Sequence, residues 1–167
     1  MTDLTTHVKH TINPVFDENS KILILGSFPS VKSRESEFFY GHPRNRFWTI
    51  LAVLFDEDTP STNDEKKSFL LRHRIAVWDV IDSCDIHGSS DSSIKNVIPV
   101  DLTLITDHAD ISHIFTNGGT ADKLYKQYCL SQTSMTATHL PSTSPANAAW
   151  SRERLLDEWK VILNFLN

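Results

Sequence analysis

Four short apolar runs alternate along this chain with segments of helical character, and this alternation strongly limits the folds open to it. The runs cover residues 22–25, 75–80, 111–116 and 135–140. A run as short and as apolar as residues 22–25 is typical of a strand that is buried on both faces. Alternation of such strands with helices predicts an α/β domain, with a parallel sheet and helices on both of its faces.

Helix signals fill the intervals between these runs. Pro43 suits a first helical position, and Thr62 has capping-box spacing to Glu65. Near the C-terminus an amphipathic stripe is formed by Leu155, Trp159, Ile162 and Leu166. Helices are therefore predicted over residues 43–55 and 62–73, after Pro99 within residues 97–107, from a cap at Thr120 through Tyr128, and at the C-terminus. Residues 1–20 are expected to be an irregular lead-in, and residues 82–91 a loop.

The composition indicates one globular domain over residues 1–167. The chain has 167 residues, of which 40% are hydrophobic and 22% charged, so it can bury a substantial core. No apolar run is long enough to span a bilayer, and the N-terminus lacks a signal-peptide pattern. We expect a soluble cytoplasmic protein that is monomeric.

Neither the cysteines nor the histidines predict a metal site. Cys84 and Cys129 are isolated and form no CxxC pair, so they are expected to be free, partly buried thiols. His87 has no partner at a diagnostic spacing. A solvent-exposed histidine is therefore the preferred interpretation, and no metal is predicted.

Residues 38–48 are dense in aromatic and cationic side chains. With Pro43 at the start of a helix, Arg44, Asn45 and Arg46 would lie in its first turn, where free backbone N–H groups favour an anion such as phosphate. Tyr40 precedes the turn and offers a flat face to a planar ring. The alternative interpretation is a buried aromatic cluster with two solvated arginines.

Charge is distributed unevenly along the chain. Its net charge is −5, yet residues 31–48 contain the four cations Lys32, Arg34, Arg44 and Arg46 against two anions. A small electropositive mouth on an acidic body would suit an enzyme that contacts nucleic acid briefly. Ordinary scatter of charge is the alternative.

Three loops are expected to meet at one edge of the sheet, because the carboxyl ends of parallel strands lie together. They comprise residues 26–30 with 38–46, residues 117–119, and residues 140–147. In the last of these, Ser142, Thr143 and the backbone amides are candidates to bind phosphate oxygens. Ser144 is predicted to cap the final helix with Pro145 at its first position, and a simple capping turn is the alternative interpretation.

The segments Gly-Ser-Phe-Pro-Ser (26–30), His-Pro-Arg-Asn-Arg-Phe-Trp (42–48) and Leu-Pro-Ser-Thr-Ser-Pro-Ala-Asn (140–147) together resemble the signatures of the uracil-DNA glycosylase superfamily. The chain is most similar to its hypoxanthine-DNA glycosylase group. The resemblance implies a three-layer α/β/α domain around a four-stranded parallel sheet. It also implies hydrolysis of the N-glycosidic bond of a deaminated base in DNA, with hypoxanthine, uracil or xanthine as the base, and no metal or organic cofactor.

Site residues follow from the same resemblance. Tyr40 matches the aromatic residue that stacks on the flipped base, with Phe28 on its other side, and Gly26, Ser27 and Pro29 complete the loop that borders the base. Two asparagines, Asn45 and Asn147, match residues implicated in catalysis. His42 and, more weakly, Asn117 are candidate base contacts, although Asn117 is interpreted preferentially as a turn residue. The candidate DNA contacts are Lys32, Arg44, Arg46, Ser142, Thr143 and Ser144.

The chain departs from the family pattern at two positions. Phe28 stands where many members have Asn or Asp, and Leu140 stands where some have His or Asn. The resemblance implies that Asn45 takes over the role of the missing Asn or Asp. Because an amide is a poor base, Asn45 is expected to orient the attacking water and not to remove its proton. The matched segments contain no lysine, which favours hydrolysis without a covalent amine intermediate. The departures leave open a damaged-DNA binding module without catalysis, and a flavodoxin-like nucleotide-binding protein is a further alternative.

Overall fold

The computed structural model of the protein describes residues 5–166. The strands are β1 (Thr6–Lys9), β2 (Ile22–Gly26), β3 (Ile75–Asp79), β4 (Ile81–Ile86), β5 (Lys95–Pro99), β6 (His113–Asn117) and β7 (Ala137–Leu140). The helices are α1 (Val31–Ser36), α2 (Phe47–Leu54), α3 (Asn63–Arg72), α4 (Thr103–Thr106), α5 (Gly119–Tyr128), α6 (Leu130–Thr133) and α7 (Arg152–Trp159). These elements confirm the predicted α/β class.

A four-stranded parallel sheet forms the centre of the fold, in the order β3-β2-β6-β7. Every residue of β2 and β3 is buried, as expected for apolar strands covered on both faces. The register places Gly26 opposite Asp79 and Asn117 opposite Leu140. The carboxyl ends of all four strands therefore lie at one edge, as predicted.

A second sheet corrects two predictions. Residues 1–20 were expected to be irregular and residues 82–91 a loop, but β1 and β4 pair in an antiparallel sheet of order β1-β4-β5. Residues 1–4 lie outside the described part of the chain. The apolar residues of β4 pack against Phe28, while neighbouring strands satisfy its backbone on both sides. The strand β4 was not predicted because its sequence is polar and resembles a loop. Its strand conformation depends on pairing with β1 and β5.

The helix predicted from Pro43 begins four residues later, at Phe47. Local bonds hold the preceding residues in turns: Nδ1 of His42 accepts from the Arg44 N–H (3.0 Å), and Oδ1 of Asn45 accepts from the Phe47 N–H (3.0 Å). Such side-chain bonds compete with helical backbone bonds. The prediction that Arg44, Asn45 and Arg46 form the first helical turn is therefore wrong.

The remaining helices agree with the sequence to different degrees. Thr62 caps α3 by accepting from the Glu65 N–H (3.1 Å), as predicted, and the C-terminal apolar stripe is fully buried. Two predicted caps are wrong: Ser151, not Ser144, caps α7, and Gly118, not Thr120, precedes α5. The segment before Pro99 is a strand, and only the four-residue α4 follows it. None of the described helices is long and apolar enough to cross a membrane.

Candidate active site

A cavity of about 570 Å³ opens at the carboxyl edge of the central sheet. The loop after β2 and the last residues of β3 and β6 meet there with the turn before α2, the loop after β7 and the connection between β4 and β5. Eleven of the residues singled out from the sequence line it: Gly26, Ser27, Phe28, Pro29, Tyr40, His42, Asn45, Asn117, Ser142, Thr143 and Ser144. Lys32, Arg44, Arg46 and Asn147 do not.

A buried hydrogen-bonded pair, Asp79 and His10, lies at the floor of this cavity, where Asp79 is the member that lines it. Nδ1 of His10 accepts from the Ile12 N–H (3.1 Å), so the ring carries its hydrogen on Nε2 and donates it to Oδ2 of Asp79 (2.8 Å). Asp79 is 3% exposed. No residue within 5–166 donates a hydrogen bond to its other oxygen, Oδ1, and Asp79 lines the cavity. The floor therefore presents a hydrogen-bond acceptor.

Tyr40 stands beside this carboxylate in a strained conformation. Its backbone φ is +52°, and its ring stacks on Phe47 with the centroids 4.0 Å apart. The hydroxyl oxygen is buried and makes no hydrogen bond of acceptable geometry with the described residues. Burial, reinforced by the charge of Asp79 and opposed in smaller part by the Asn117 side chain, raises the pKa of this hydroxyl well above its usual value. Tyr40 therefore keeps its proton and can donate it.

The close approach of Asp79 and Tyr40 depends on Gly26. A Cβ at this position would lie 2.4 Å from Oδ1 of Asp79 and 3.1 Å from the Tyr40 hydroxyl. The first distance is far below van der Waals contact, and Asp79 is held by His10. Any larger residue would displace the floor.

Asn45 presents a free donor to the cavity. Because its Oδ1 accepts from the Phe47 N–H, the amide is oriented with Nδ2 away from that backbone. No described residue accepts a hydrogen bond from Nδ2. His42 is likewise a donor, since its Nδ1 is occupied by the Arg44 N–H and its remaining nitrogen, Nε2, carries the hydrogen.

Asn117 joins the ends of β6 and β7. Its Nδ2 donates to Oγ1 of Thr143, and its Oδ1 accepts from the Thr143 N–H, both at 3.0 Å. Both residues are buried. This reciprocal pair holds the loop after β7 against the central sheet. Asn117 is thus the last residue of β6 and not the turn residue that the sequence suggested.

The loop after β7 uses most of its backbone amides internally. The Thr143, Ser144 and Ala146 N–H groups donate to side-chain oxygens of Asn117, Ser142 and Ser144. These amides are therefore not free to bind phosphate, contrary to the sequence-based prediction. The hydroxyl hydrogens of Ser142 and Ser144 remain available.

Arg46 and Asn147 hold this loop from its two sides. The guanidinium of Arg46 donates to the carbonyl oxygens of Ser144, Asn147 and Trp150. Nδ2 of Asn147 donates to the Ser142 carbonyl (3.0 Å). Both side chains are occupied in shaping the loop, and neither lines the cavity.

At the mouth of the cavity lies a further carboxylate, Asp91. It begins the 3₁₀ segment Asp91–Ser93 in the connection between β4 and β5. Oγ of Ser27 donates to its Oδ1 (3.4 Å), and the hydroxyl of Thr120 also contacts it. Partial exclusion of solvent raises the pKa of the Asp91 carboxyl group. Hydrogen bonds from the hydroxyls of Thr120 and Ser27 lower this pKa, and the negative charge of Asp79 raises it further.

The cationic side chains near the mouth of the cavity differ in exposure and in their bonding partners. Lys32 is 57% exposed, with Glu35 3.5 Å away, and Arg44 is exposed without a side-chain hydrogen bond to the described residues. Arg34 donates to the Gly88 carbonyl (2.7 Å). No cluster of three or more His, Cys, Asp or Glu side chains within residues 5–166 is arranged to hold a metal ion.

Sequence reasoning missed His10, Asp79 and Asp91. Asp79 is the last residue of β3 and the second-last of the predicted strand over residues 75–80, so the edge rule applied to the other strand ends would have included it. The signal for Asp91 was weaker, a polar stretch assigned to a loop. Nothing local marks His10, because only the pairing of β1 with β4 brings it to the floor.

Sequence comparison relates the chain to proteins of a known family. A sequence model described as the uracil DNA glycosylase superfamily matches residues 14–166. A protein of Methanosarcina acetivorans named hypoxanthine DNA glycosylase is 32% identical over 156 residues, 93% of this chain and 98% of the relative. One of Methanosarcina barkeri with the same name is 36% identical over 112 residues, 66% of this chain and 71% of the relative.

A solved structure shares the whole fold. The solution NMR structure of a proposed uracil DNA glycosylase from Methanosarcina acetivorans superposes with a TM-score of 0.81 at 31% identity. The match covers 96% of this chain and 99% of that chain.

Proposed function

Since the chain belongs to the uracil DNA glycosylase superfamily, we propose that it hydrolyses the N-glycosidic bond of a deaminated base in DNA, with hypoxanthine as the preferred base. The two relatives named hypoxanthine DNA glycosylase support this preference. A base inside the duplex cannot reach such a cavity, so the nucleotide must be flipped out of the stack, at a cost of a few kcal/mol.

The observation that carries the proposal is the polar floor. Deamination of adenine replaces a ring-nitrogen acceptor and an amino donor by a ring N–H donor and a carbonyl acceptor. Oδ1 of Asp79 can only accept a hydrogen bond, and the Tyr40 hydroxyl retains a proton to donate. This pair complements the N–H and C=O edge of hypoxanthine. Uracil and xanthine carry the same edge, as do the ordinary bases guanine and thymine, so size and stacking must choose among them.

The walls suit a planar base. Phe28 and the ring of Tyr40 both line the cavity, and Phe47 supports Tyr40 from behind by stacking. Stacking on aromatic rings binds any base through its π face. Affinity would then come from the walls, and the floor would discriminate against adenine and cytosine, which lack the N–H and C=O edge.

Asn45 is the proposed catalytic amide. Its free Nδ2 can hold the oxygen of the attacking water and leave a lone pair of that water directed at the sugar. No lysine within the described residues lines the cavity, which supports water as the nucleophile. Trapping of a protein–DNA adduct with borohydride would contradict this monofunctional mechanism.

The residues proposed to contact DNA are fewer than those predicted from the sequence. Lys32, Arg44 and the hydroxyls of Ser142 and Ser144 remain free for phosphate, whereas Arg46 shapes its loop. Asn147 is proposed to act in the same way, through the Ser142 carbonyl. Thr143 is fully buried and bonded to Asn117, so it is no longer proposed as a DNA contact.

The test measures base release from labelled duplexes that each contain one deoxyinosine, deoxyuridine or deoxyxanthosine, with alkali used to cleave the abasic strand. We expect fastest release from deoxyinosine, and a reduction of about 100-fold or more in Asn45→Ala, as for loss of one oriented donor. Asn164→Ala, at an exposed residue outside the cavity, is the matched control. Binding without release from any substrate would instead support a lesion-binding module.

A further inference from the structure

We propose that Asp91 is the carboxylate on the sugar side of the reaction, where it stabilises the developing positive charge at C1′ and accepts the proton of the attacking water. This role rests on the glycosylase function proposed above. It adds a catalytic residue from the β4–β5 connection, which belongs to the smaller sheet and not to the loops of the central sheet.

The chemistry requires an anionic acceptor that the other lining residues do not supply. Cleavage of the glycosidic bond leaves positive charge on the sugar, and an attacking water must lose a proton. Asn45 is an amide and a poor base, and the free nitrogen of His42 already carries a hydrogen. Of the described residues that line the cavity, two have carboxyl groups, Asp79 and Asp91.

Depth distinguishes these two carboxylates. Asp79 lies on the floor, almost fully buried behind Gly26, and one of its oxygens is bonded to His10. Asp91 is exposed and lines the same cavity nearer to solvent. A flipped base enters a cavity first, and its sugar remains at the mouth with the DNA backbone. The floor carboxylate therefore faces the base edge, and the mouth carboxylate faces the sugar.

Asp91 is also held in place, as a catalytic group must be. The connection that carries it is tied to α1, because Oγ of Ser89 accepts from the Val31 N–H (2.8 Å) and Arg34 donates to the Gly88 carbonyl. Ser27, directly after β2, and Thr120, in the first turn of α5, contact the carboxylate. These contacts fix its position at the edge of the central sheet.

The electrostatic surroundings suit a base. The charge of Asp79, at the end of β3, acts on Asp91, and Arg34 of α1 donates to the Gly88 carbonyl. His87 lies within the connection itself, and His42 lines the same cavity. Partial exclusion of water and the charge of Asp79 raise the pKa of the Asp91 carboxyl above its usual value. A carboxylate with a raised pKa is a stronger base.

In the proposed step the water oxygen bonds to C1′ as the bond from C1′ to the base nitrogen breaks. The electron pair of that bond leaves with the base. One proton of the water passes to Asp91, and the base anion takes a proton from solvent. Asp91 then returns its proton to solvent, so the step needs no further reactant.

The experiment compares single-turnover base release from a deoxyinosine duplex, with protein in excess, for the wild type, Asp91→Asn and Asp91→Glu. Asp91→Asn removes the charge at constant size and is expected to slow release by about 100-fold or more. Its affinity for the duplex should change by less than about 3-fold, because a carboxylate does not attract phosphate. Asp110→Asn, an exposed residue outside the cavity, is the matched control and should leave both unchanged.

The pH profile gives a readout that a purely structural role would not affect. The wild-type rate of base release should fall at low pH as Asp91 is protonated. This acidic limb of the pH–rate profile should be absent in Asp91→Asn. Asp91→Glu should be slower than the wild type yet keep the limb, which preserves the test if the asparagine variant does not fold. Release by Asp91→Asn within about 3-fold of the wild type would overturn the role of Asp91 alone. A wild type that releases no base would overturn the proposed function.

Discussion

Some residues at the floor of the cavity adopt arrangements that lower the stability of the folded protein. A buried hydroxyl without a partner costs about 1–3 kcal/mol, and so does a residue held at positive φ. Tyr40 has both features. Such costs persist where a ligand later satisfies the unpaired group, and the neighbouring Oδ1 of Asp79 is available in the same way. The floor is therefore interpreted as a binding surface and not as core.

Gly26→Ala tests this arrangement at one atom. The new Cβ would lie 2.4 Å from Oδ1 of Asp79, which His10 prevents from moving freely. We expect the free energy of unfolding to fall by about 1–3 kcal/mol, as for other overpacked sites. Base release should fall by about 10-fold, since an unpaired or misplaced polar group costs about 1–3 kcal/mol and about 1.4 kcal/mol corresponds to a factor of ten. Urea titration and the release assay measure the two effects.

Gly119→Ala is the control for this substitution. Nothing lies within 4 Å of a Cβ at Gly119, and this residue begins α5. Stability should be unchanged or slightly higher, because alanine is the better helix former. Equal effects of the two substitutions would show that glycine flexibility, and not the space beside Asp79, matters at position 26.

At the scale of elements, the loop after β7 is held by side chains from other elements. Arg46 immediately precedes α2, yet it donates to three carbonyls of that loop, and Asn117 at the end of β6 bonds its Thr143. The loop is thus shaped by contacts more than twenty residues away in sequence. Its conformation should depend on those contacts more than on its own prolines.

Arg46→Ala should release this loop. We expect faster hydrogen–deuterium exchange over residues 141–150, and base release reduced by about 10-fold, since a displacement of 1 Å at a site has effects of that order or larger. Hydrogen exchange followed by mass spectrometry provides the measurement. Arg44→Ala, which removes an exposed side chain two residues away, should leave the exchange of the loop unchanged. Unchanged exchange in Arg46→Ala would contradict the assigned role.

Helices with local signals were predicted well, and the smaller sheet was not. The cap of α3 lies within its own sequence, as Thr62 bonds the Glu65 N–H. The start of α2 was misplaced because bonds from His42 and Asn45 to nearby backbone compete with the helix. β4 was missed because its polar residues resemble a loop until β1 and β5 pair with it.

The whole molecule must bind a polyanion while carrying a net charge of −5. The cations left free near the cavity are few, chiefly Lys32 and Arg44. Each phosphate neutralised contributes about −0.9 to the slope of log affinity against log salt concentration, so a slope of about −2 to −4 is expected. Titration of a fluorescent duplex at several salt concentrations measures this slope.

Removal of each of these cations should change the slope of log affinity against log salt concentration by a fixed amount. Lys32→Ala and Arg44→Ala are each expected to reduce its magnitude by about 1. Lys160→Ala removes an exposed cation of the C-terminal 3₁₀ segment, outside the cavity, and should leave the slope unchanged. Equal changes in all three variants would indicate that net charge, and not local contact, governs binding.

The sequence by itself determined the α/β class, the four parallel strands, the C-terminal apolar stripe and most residues that line the cavity. These features depend on periodicity, on turn residues and on the rule that strand ends share an edge, all of which are local or topological. Only the tertiary structure decided which side chains remain free. It occupied Arg46, Asn117 and Asn147 with loop contacts, and it brought Asp91 and the Asp79 that His10 holds to the cavity. Hydrogen bonds between residues as distant as 10 and 79 depend on the packing of two sheets, and no local pattern in the chain encodes them.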